Sequence, residues 1–208
     1  MACDDSGIDL EITQGSTFEK TFFWYSGAKV IKPITGITAT YPPTVTCVGH
    51  ALPANEVPCK IVSVKGMTEI ITADDGDNDE DDYVYALKSG VDAFTLPDVN
   101  AADYTPYVSG GYLVYIPPKL LTSYEARMQI RASRADTAVL VDLSTTALDI
   151  VITEAEGMIT VTIDSAATAL LDFVNAVYDL ELYIPGAPAN VTRLAFGNVT
   201  LVKEVTRA

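Results

Sequence analysis

The stretch Tyr178–Arg207, "YDLELYIPGAPANVTRLAFGNVTLVKEVTR", decides how the chain is to be read. Tyr178, Leu180, Leu182 and Ile184 alternate with Asp179, Glu181 and Tyr183. That period of two marks a strand with one dry face and one wet face, as in antiparallel sheets. A Pro/Gly turn follows, then a second strand and a third. The parity slips near "FGNV". Phe196 is in phase with Leu194, whereas Val199 and Leu201 are not. One inserted residue repairs such a slip, and Gly197 is the expected bulge.

The same alternation recurs in both directions from there. Phe18, Phe22 and Trp24 share a parity in "FEKTFFW". In "YEARMQIR", Ala126, Met128 and Ile130 point one way, and Glu125, Arg127, Gln129 and Arg131 the other. Val139, Val141 and Leu143 share a face, as do Ile159, Val161 and Ile163. One segment breaks the rule. "DSAATALLDF" offers Asp164 or Ser165 as an N-cap before good helix formers, with Leu170, Leu171 and Phe173 to pack inward. About two helical turns are expected there. The remainder reads as short strands and turns, hence an all-β sandwich or barrel.

Between Ile34 and Tyr115 the texture changes. Pro, Gly and acidic residues become frequent, and Pro42-Pro43 and Pro117-Pro118 roughly bracket the block. A loop accepts a long insertion because closure entropy grows slowly with length. The expected organisation is a discontinuous sandwich of residues 1–33 and 116–208, interrupted by a small β-module at 34–115.

The 208 residues carry a net charge of −15, and 49% are hydrophobic. A core is therefore affordable, and wholesale disorder is not expected. The acidity argues against nucleic acid and against anionic membrane surfaces. The first residues hold no basic region followed by an apolar run, so no secretory signal is expected. No window approaches 18 apolar residues. Cys3, Cys47 and Cys59 are an odd set without a CxxC, better read as thiols made in a reducing cytoplasm than as a disulfide framework. A Cys47–Cys59 bridge across a hairpin is the alternative.

"ADDGDNDEDDY" holds seven acids, namely Asp74, Asp75, Asp77, Asp79, Glu80, Asp81 and Asp82. A Ca²⁺ loop of the EF-hand type needs Gly at its sixth position and Glu at its twelfth. Counting from Asp75, those positions hold Glu80 and Ala86; from Asp77, Asp82 and Lys88. The run reads as a solvated loop tip, with a looser oxygen-rich site as the alternative.

Groups that do chemistry are sparse. His50 is the single histidine, and GxSxG, HExxH and P-loop patterns are missing. A Cys47–His50 nucleophile pair would sit three residues apart in a Gly-containing turn, a poor arrangement for an oriented base. Asp179 and Glu181 alternate with core residues as ordinary outward side chains. No catalytic, cofactor-binding or metal-binding residue is assigned. Tyr104, Tyr107 and Tyr112 are either a contact surface or fillers of edge-strand faces.

Two resemblances add to this reading. "IDLEITQGSTFEKTFFWYSG", "LLTSYEARMQIR", "TAVLVDLST", "GMITVTIDSAATALL", "VYDLELYI" and "GNVTLVKEVTR" together resemble a family of small tailed-phage proteins. More distantly, their order resembles the N-terminal β-sandwich of phage baseplate upper proteins. In the middle, "ITGITATYPPTVTCVGHALPANEVPCKIVSVKGMTEI" and "AFTLPDVNAADYTPYVSGG" are similar to a small β-module of phage tail-region proteins. That module is usually labelled after the first catalytic-cysteine half-domain of ubiquitin-activating enzymes. The likeness lies in turn and strand positions and transfers no catalytic residue. The acidic run departs from it by lengthening the turn after "GMTEI".

With the strand pattern, the resemblances imply a discontinuous immunoglobulin-like β-sandwich with one short helix, interrupted by a small β-barrel-like module, in a non-enzymatic structural protein of a tailed-phage virion, made in the host cytoplasm. Its expected place is the tail, baseplate or neck, as an adaptor or cladding component, with head decoration or cement as the alternative. A sugar-binding or hydrolytic tail component is a second alternative. The implied partners are other virion structural proteins and further copies of itself, in a ring or trimer, without nucleic acid or membrane.

Overall fold

The computed structural model describes residues 7–72, 83–186 and 190–204. Among them the fold is all-β with one short α-helix, the class expected from the alternation. The chain divides into two compact units. A split unit comprises Met1–Tyr25 and Pro118–Ala208, and a continuous unit comprises Ser26–Pro117.

In chain order, the split unit begins with β1 (Leu10–Thr13) and β2 (Phe18–Phe23). The continuous unit supplies β3 (Val30–Pro33), β4 (Gly36–Ile37), β5 (Thr44–Thr46), β6 (Val57–Lys65), β7 (Val84–Lys88), β8 (Ala93–Thr95) and β9 (Ser109–Tyr115). The chain then returns with β10 (Glu125–Arg131), β11 (Val141–Ser144), β12 (Ile150–Thr153), β13 (Met158–Ile163), α1 (Ser165–Ala169), β14 (Asn175–Tyr183) and β15 (Val191–Val202).

The split unit is sandwich-like. Five strands run in the order β1-β15-β14-β10-β11, and three in the order β12-β13-β2. Their dry faces share one core. Met128, Ile130, Tyr178, Leu180 and Leu182 come from the larger sheet, and Phe22, Ile150, Ile159, Val161 and Ile163 from the smaller. Phe22 and Tyr178 meet in a tilted pair with centroids 6.4 Å apart. Burying each such aliphatic or aromatic side chain contributes about 1.5–3 kcal/mol. β1 is the exception in direction, lying parallel to β15 from Leu10↔Val199 to Thr13↔Val202.

The bulge is real but lies earlier than Gly197. Leu180 pairs with Ala195 and Glu181 with Arg193, leaving Leu194 unopposed. Leu194 and Ala195 are consequently both buried, and the parity changes there. The segment after the Pro/Gly turn is one long strand, β15, rather than the two expected, because a bulge bends a strand without ending it. Gly197 has a different purpose. A Cβ there would strike the Ile8 carbonyl, at the point where Ile8 N donates to Phe196 O at 2.7 Å.

α1 starts as the capping pattern predicts, with Asp164 Oδ1 accepting from Ala167 N at 2.7 Å. It is five residues long, shorter than the two turns expected. Leu171 and Phe173 pack against the core, whereas Leu170 is 84% exposed at the helix end.

In the continuous unit the order is β3-β9-β6-β7-β8-β5-β4. Its two ends, β3 and β4, are joined by Ile34 and Thr35 alone. Ile34 N donates to Gly111 O and Thr35 N to Thr46 O, both at 2.9 Å. The sheet therefore curls back to the segment where it began. Val45, Leu52, Val57, Ile61, Phe94, Leu96 and Leu113 fill its interior. Gly111 takes φ +95° where a Cβ would press on Val64, so the curl needs glycine there.

The division falls earlier than residue 34 because Val30–Pro33 pairs with β9, from Val30↔Tyr115 to Pro33↔Tyr112. At the base of the continuous unit Ser26 N donates to Pro117 O at 3.0 Å. In the split unit Tyr25 forms a bridge with Pro118.

Candidate functional site

His50 is fully buried in the continuous unit. Its Nδ1 lies 3.0 Å from Leu52 N, and a backbone amide only donates, so Nδ1 accepts. Nε2 lies 3.2 Å from Gly90 O, and a carbonyl only accepts, so Nε2 carries the proton. The ring stands edge-on to Phe94 at 5.8 Å, and Tyr115 donates its hydroxyl proton to His50 O at 2.7 Å. The histidine is a brace between two turns, with both nitrogens engaged.

Cys47 and Cys59 are buried free thiols. Burial raises both, taking Cys59 to about 12. At neutral pH such a thiol is a small apolar filler and a poor nucleophile. The acidic run Asp74–Asp82, like Cys3, lies outside the described residues. Tyr107 is committed locally, its hydroxyl within 3.2 Å of Ile34 O and 3.0 Å of Gly110 O.

Tyr112 belongs to something larger. Directly opposed residues of an antiparallel sheet share a face. Pro33, Tyr112 and Val62 therefore form one outward row across β3, β9 and β6, and Ile31, Val114 and Lys60 form the next. Pro58 and Tyr85 extend the face onto β7. Ile31 is 57% exposed, Tyr112 45% and Tyr85 43%. Lys60 Nζ sits 5.0 Å from the Tyr83 ring centroid. Single exposed apolar residues are ordinary, whereas a contiguous face marks a contact site. Only the register places Ile31 and Tyr85 on one face with Tyr112, so the sequence alone showed one member of the set.

A second outward face lies on the large sheet of the split unit. Asp179 and Glu181 point outward as the alternation predicts, and arginines flank them. One row is Arg127, Glu181 and Arg193, and the next is Gln129, Asp179 and Phe196. Arg127 grips Glu181 at 2.7 Å, whereas Arg193 reaches Asp179 only at 3.6 Å. Arg193 lies 4.2 Å over the Phe196 ring, and Arg134 5.4 Å. Arg131 donates to Asp136 O and to Gln129 Oε1, both at 2.7 Å. A groove of about 530 Å³ runs between Arg127, Gln129, Arg131, Arg134, Asp179 and Glu181.

Among the described residues no helix is long and apolar enough to cross a membrane, and no group of three or more His, Cys, Asp or Glu is placed to hold a metal ion. No protein-family model matches the chain, and no curated protein is similar to it.

Proposed function

We propose that the chain is a non-enzymatic structural protein of a tailed-phage virion, working through protein–protein contacts as a tail, baseplate or neck component. The family resemblance supplies the setting. One observation carries the mode of action, the apolar and aromatic outward face of β3, β9, β6 and β7. Tyr, Ile and Val on an outward strand surface, with Lys60 the charged member among the described residues of these rows, have the make-up of an interface centre. The groups best suited to chemistry, His50, Cys47 and Cys59, are used to hold the continuous unit together. In this reading another virion structural protein covers the face, and symmetry repeats the contact around a ring of copies.

Gold-labelled antibody on purified particles tests the setting, together with quantitative mass spectrometry of the same particles. Gold at the tail, neck or baseplate, with a few ring-fold copies per particle, is the expected result. Gold over the head, at hundreds of copies, overturns the adaptor reading in favour of decoration. Absence from the particle overturns both. Ile31→Glu with Tyr112→Glu tests the face itself. Both residues are exposed, so the variant should fold yet fall at least about tenfold in particle occupancy, the loss that about 1.4 kcal/mol of contact energy produces.

A further inference from the structure

We propose that the arginine groove of the large sheet receives the acidic run Asp74–Asp82 from a second copy of this chain. The chain has five arginines. Arg207 lies outside the described residues, and the other four all stand on or beside the outward face of β10, β14 and β15. In a chain of net charge −15 this placement concentrates its planar, always-charged donors at one site.

The groove is pre-set for an anion. Among the described residues, Arg131 and Arg134 have no carboxylate partner. A backbone carbonyl and an amide oxygen hold Arg131, and the Phe196 ring holds Arg134. Their guanidiniums are oriented by neutral groups, so their charge is not cancelled in place and little side-chain entropy is left to lose on binding. Arg193 and Asp179, at 3.6 Å, form a loose pair that an incoming carboxylate can compete for. The lining has three arginines against Asp179 and Glu181, a surplus of one positive charge.

The densest anion in the sequence is the run Asp74–Asp82, with seven acids in nine residues. Planar carboxylates match guanidinium donors bidentately. A groove on one copy and a run on the next make a head-to-tail contact, the kind that closes into rings. The inference deepens the structural reading above and rests on it. Its test is made in solution without particles, so it fails separately from the gold labelling.

The first probe is a synthetic peptide of residues 73–83, titrated by fluorescence anisotropy into the chain whose residues 74–82 are replaced by Asn-Gly. Saturable binding is expected, with Kd on the order of 0.1–1 mM. It should weaken at least about tenfold in Arg131→Gln/Arg134→Gln and when salt is raised from 0.15 to 0.5 M. Lys20→Gln, away from the groove, should leave it unchanged. Sedimentation of the intact chain should show self-association that the arginine variant abolishes. No peptide binding, or equal binding by the arginine variant, overturns the proposal. A strictly monomeric intact chain also overturns it, because the run then does not join copies. Should the shortened chain fail to fold, sedimentation of the intact chain against Arg131→Gln/Arg134→Gln carries the test alone.

Discussion

The two units solve the same problem with opposite means. The split unit closes two sheets over a core of alternating aliphatic side chains, and its inward residues recur at every second position along β10, β13 and β14. The continuous unit has strands as short as Gly36–Ile37 and Thr44–Thr46, and curls one sheet around a smaller interior. It closes that interior with a buried histidine, buried thiols and glycine at a tight position. A core built from periodic strands is secured mainly by apolar area. One built from short pieces also depends on a few specific hydrogen bonds and backbone conformations.

Core truncation should give the largest effects and tests the first half of that contrast. Leu180→Ala in the split unit should cost about 2–5 kcal/mol, and Phe94→Ala in the continuous unit about 3–5 kcal/mol. Urea unfolding read by hydrogen exchange assigns each loss to its unit. Trp24, the single tryptophan, gives an optical signal for the split unit alone. A Phe94→Ala loss no larger than that of a surface change would break the comparison.

His50→Leu sharpens the second half. The substitution keeps an apolar side chain of similar size but strands Leu52 N–H and Gly90 C=O. About 1–3 kcal/mol should be lost for each buried group left unpaired, with protection falling in the turns around residues 49–52 and 89–91. Gly197→Ala should be costly for a steric reason. Its Cβ meets the Ile8 carbonyl, so about 1–3 kcal/mol is expected, with exchange quickening in β1. The smallest effect belongs to the exposed Arg127–Glu181 pair, where Arg127→Gln should change stability by about 0–1 kcal/mol. A larger value would mean that outward charges, too, help fix the split unit.

Legibility in the sequence followed the same divide. Period-two alternation identified the inward residues of β10, β13 and β14, because a strand with one dry face writes its orientation directly into the sequence. The Asp164 cap was equally plain, since a short oxygen-bearing side chain before helix formers has one common use. The bulge was visible as a lost parity but was assigned to Gly197 instead of Leu194. A glycine looks like a place for irregular backbone, whereas here it makes room for the chain at Ile8.

In the continuous unit β6 carries Val57, Cys59 and Ile61 inward and Pro58 and Val62 outward, so apolar residues occupy both faces and no alternation shows. His50 gave no local signal of burial, because Leu52 lies within its own turn and its other partners, Gly90 and Phe94, become neighbours only through the fold. The arginine groove was hidden for a related reason. Arg127 and Arg131 read as outward, but Arg193 and Phe196 reach them only through the register of β10, β14 and β15.

The directions of the terminal strands also set how each unit answers a mechanical load. β1 and β15 are parallel neighbours, with Leu10 opposite Val199 and Thr13 opposite Val202. Tension on the chain before Leu10 and after Val202 pulls the two strands past one another and loads their hydrogen bonds together, in shear. The continuous unit is entered and left through β3 and β9, antiparallel neighbours whose ends stand side by side at Val30 and Tyr115. Tension across those two points opens the pair one bond after another, as a zipper. With load applied at the chain ends, the β1–β15 clamp carries it first, and the zipper of the inserted continuous unit is loaded only once that clamp has parted.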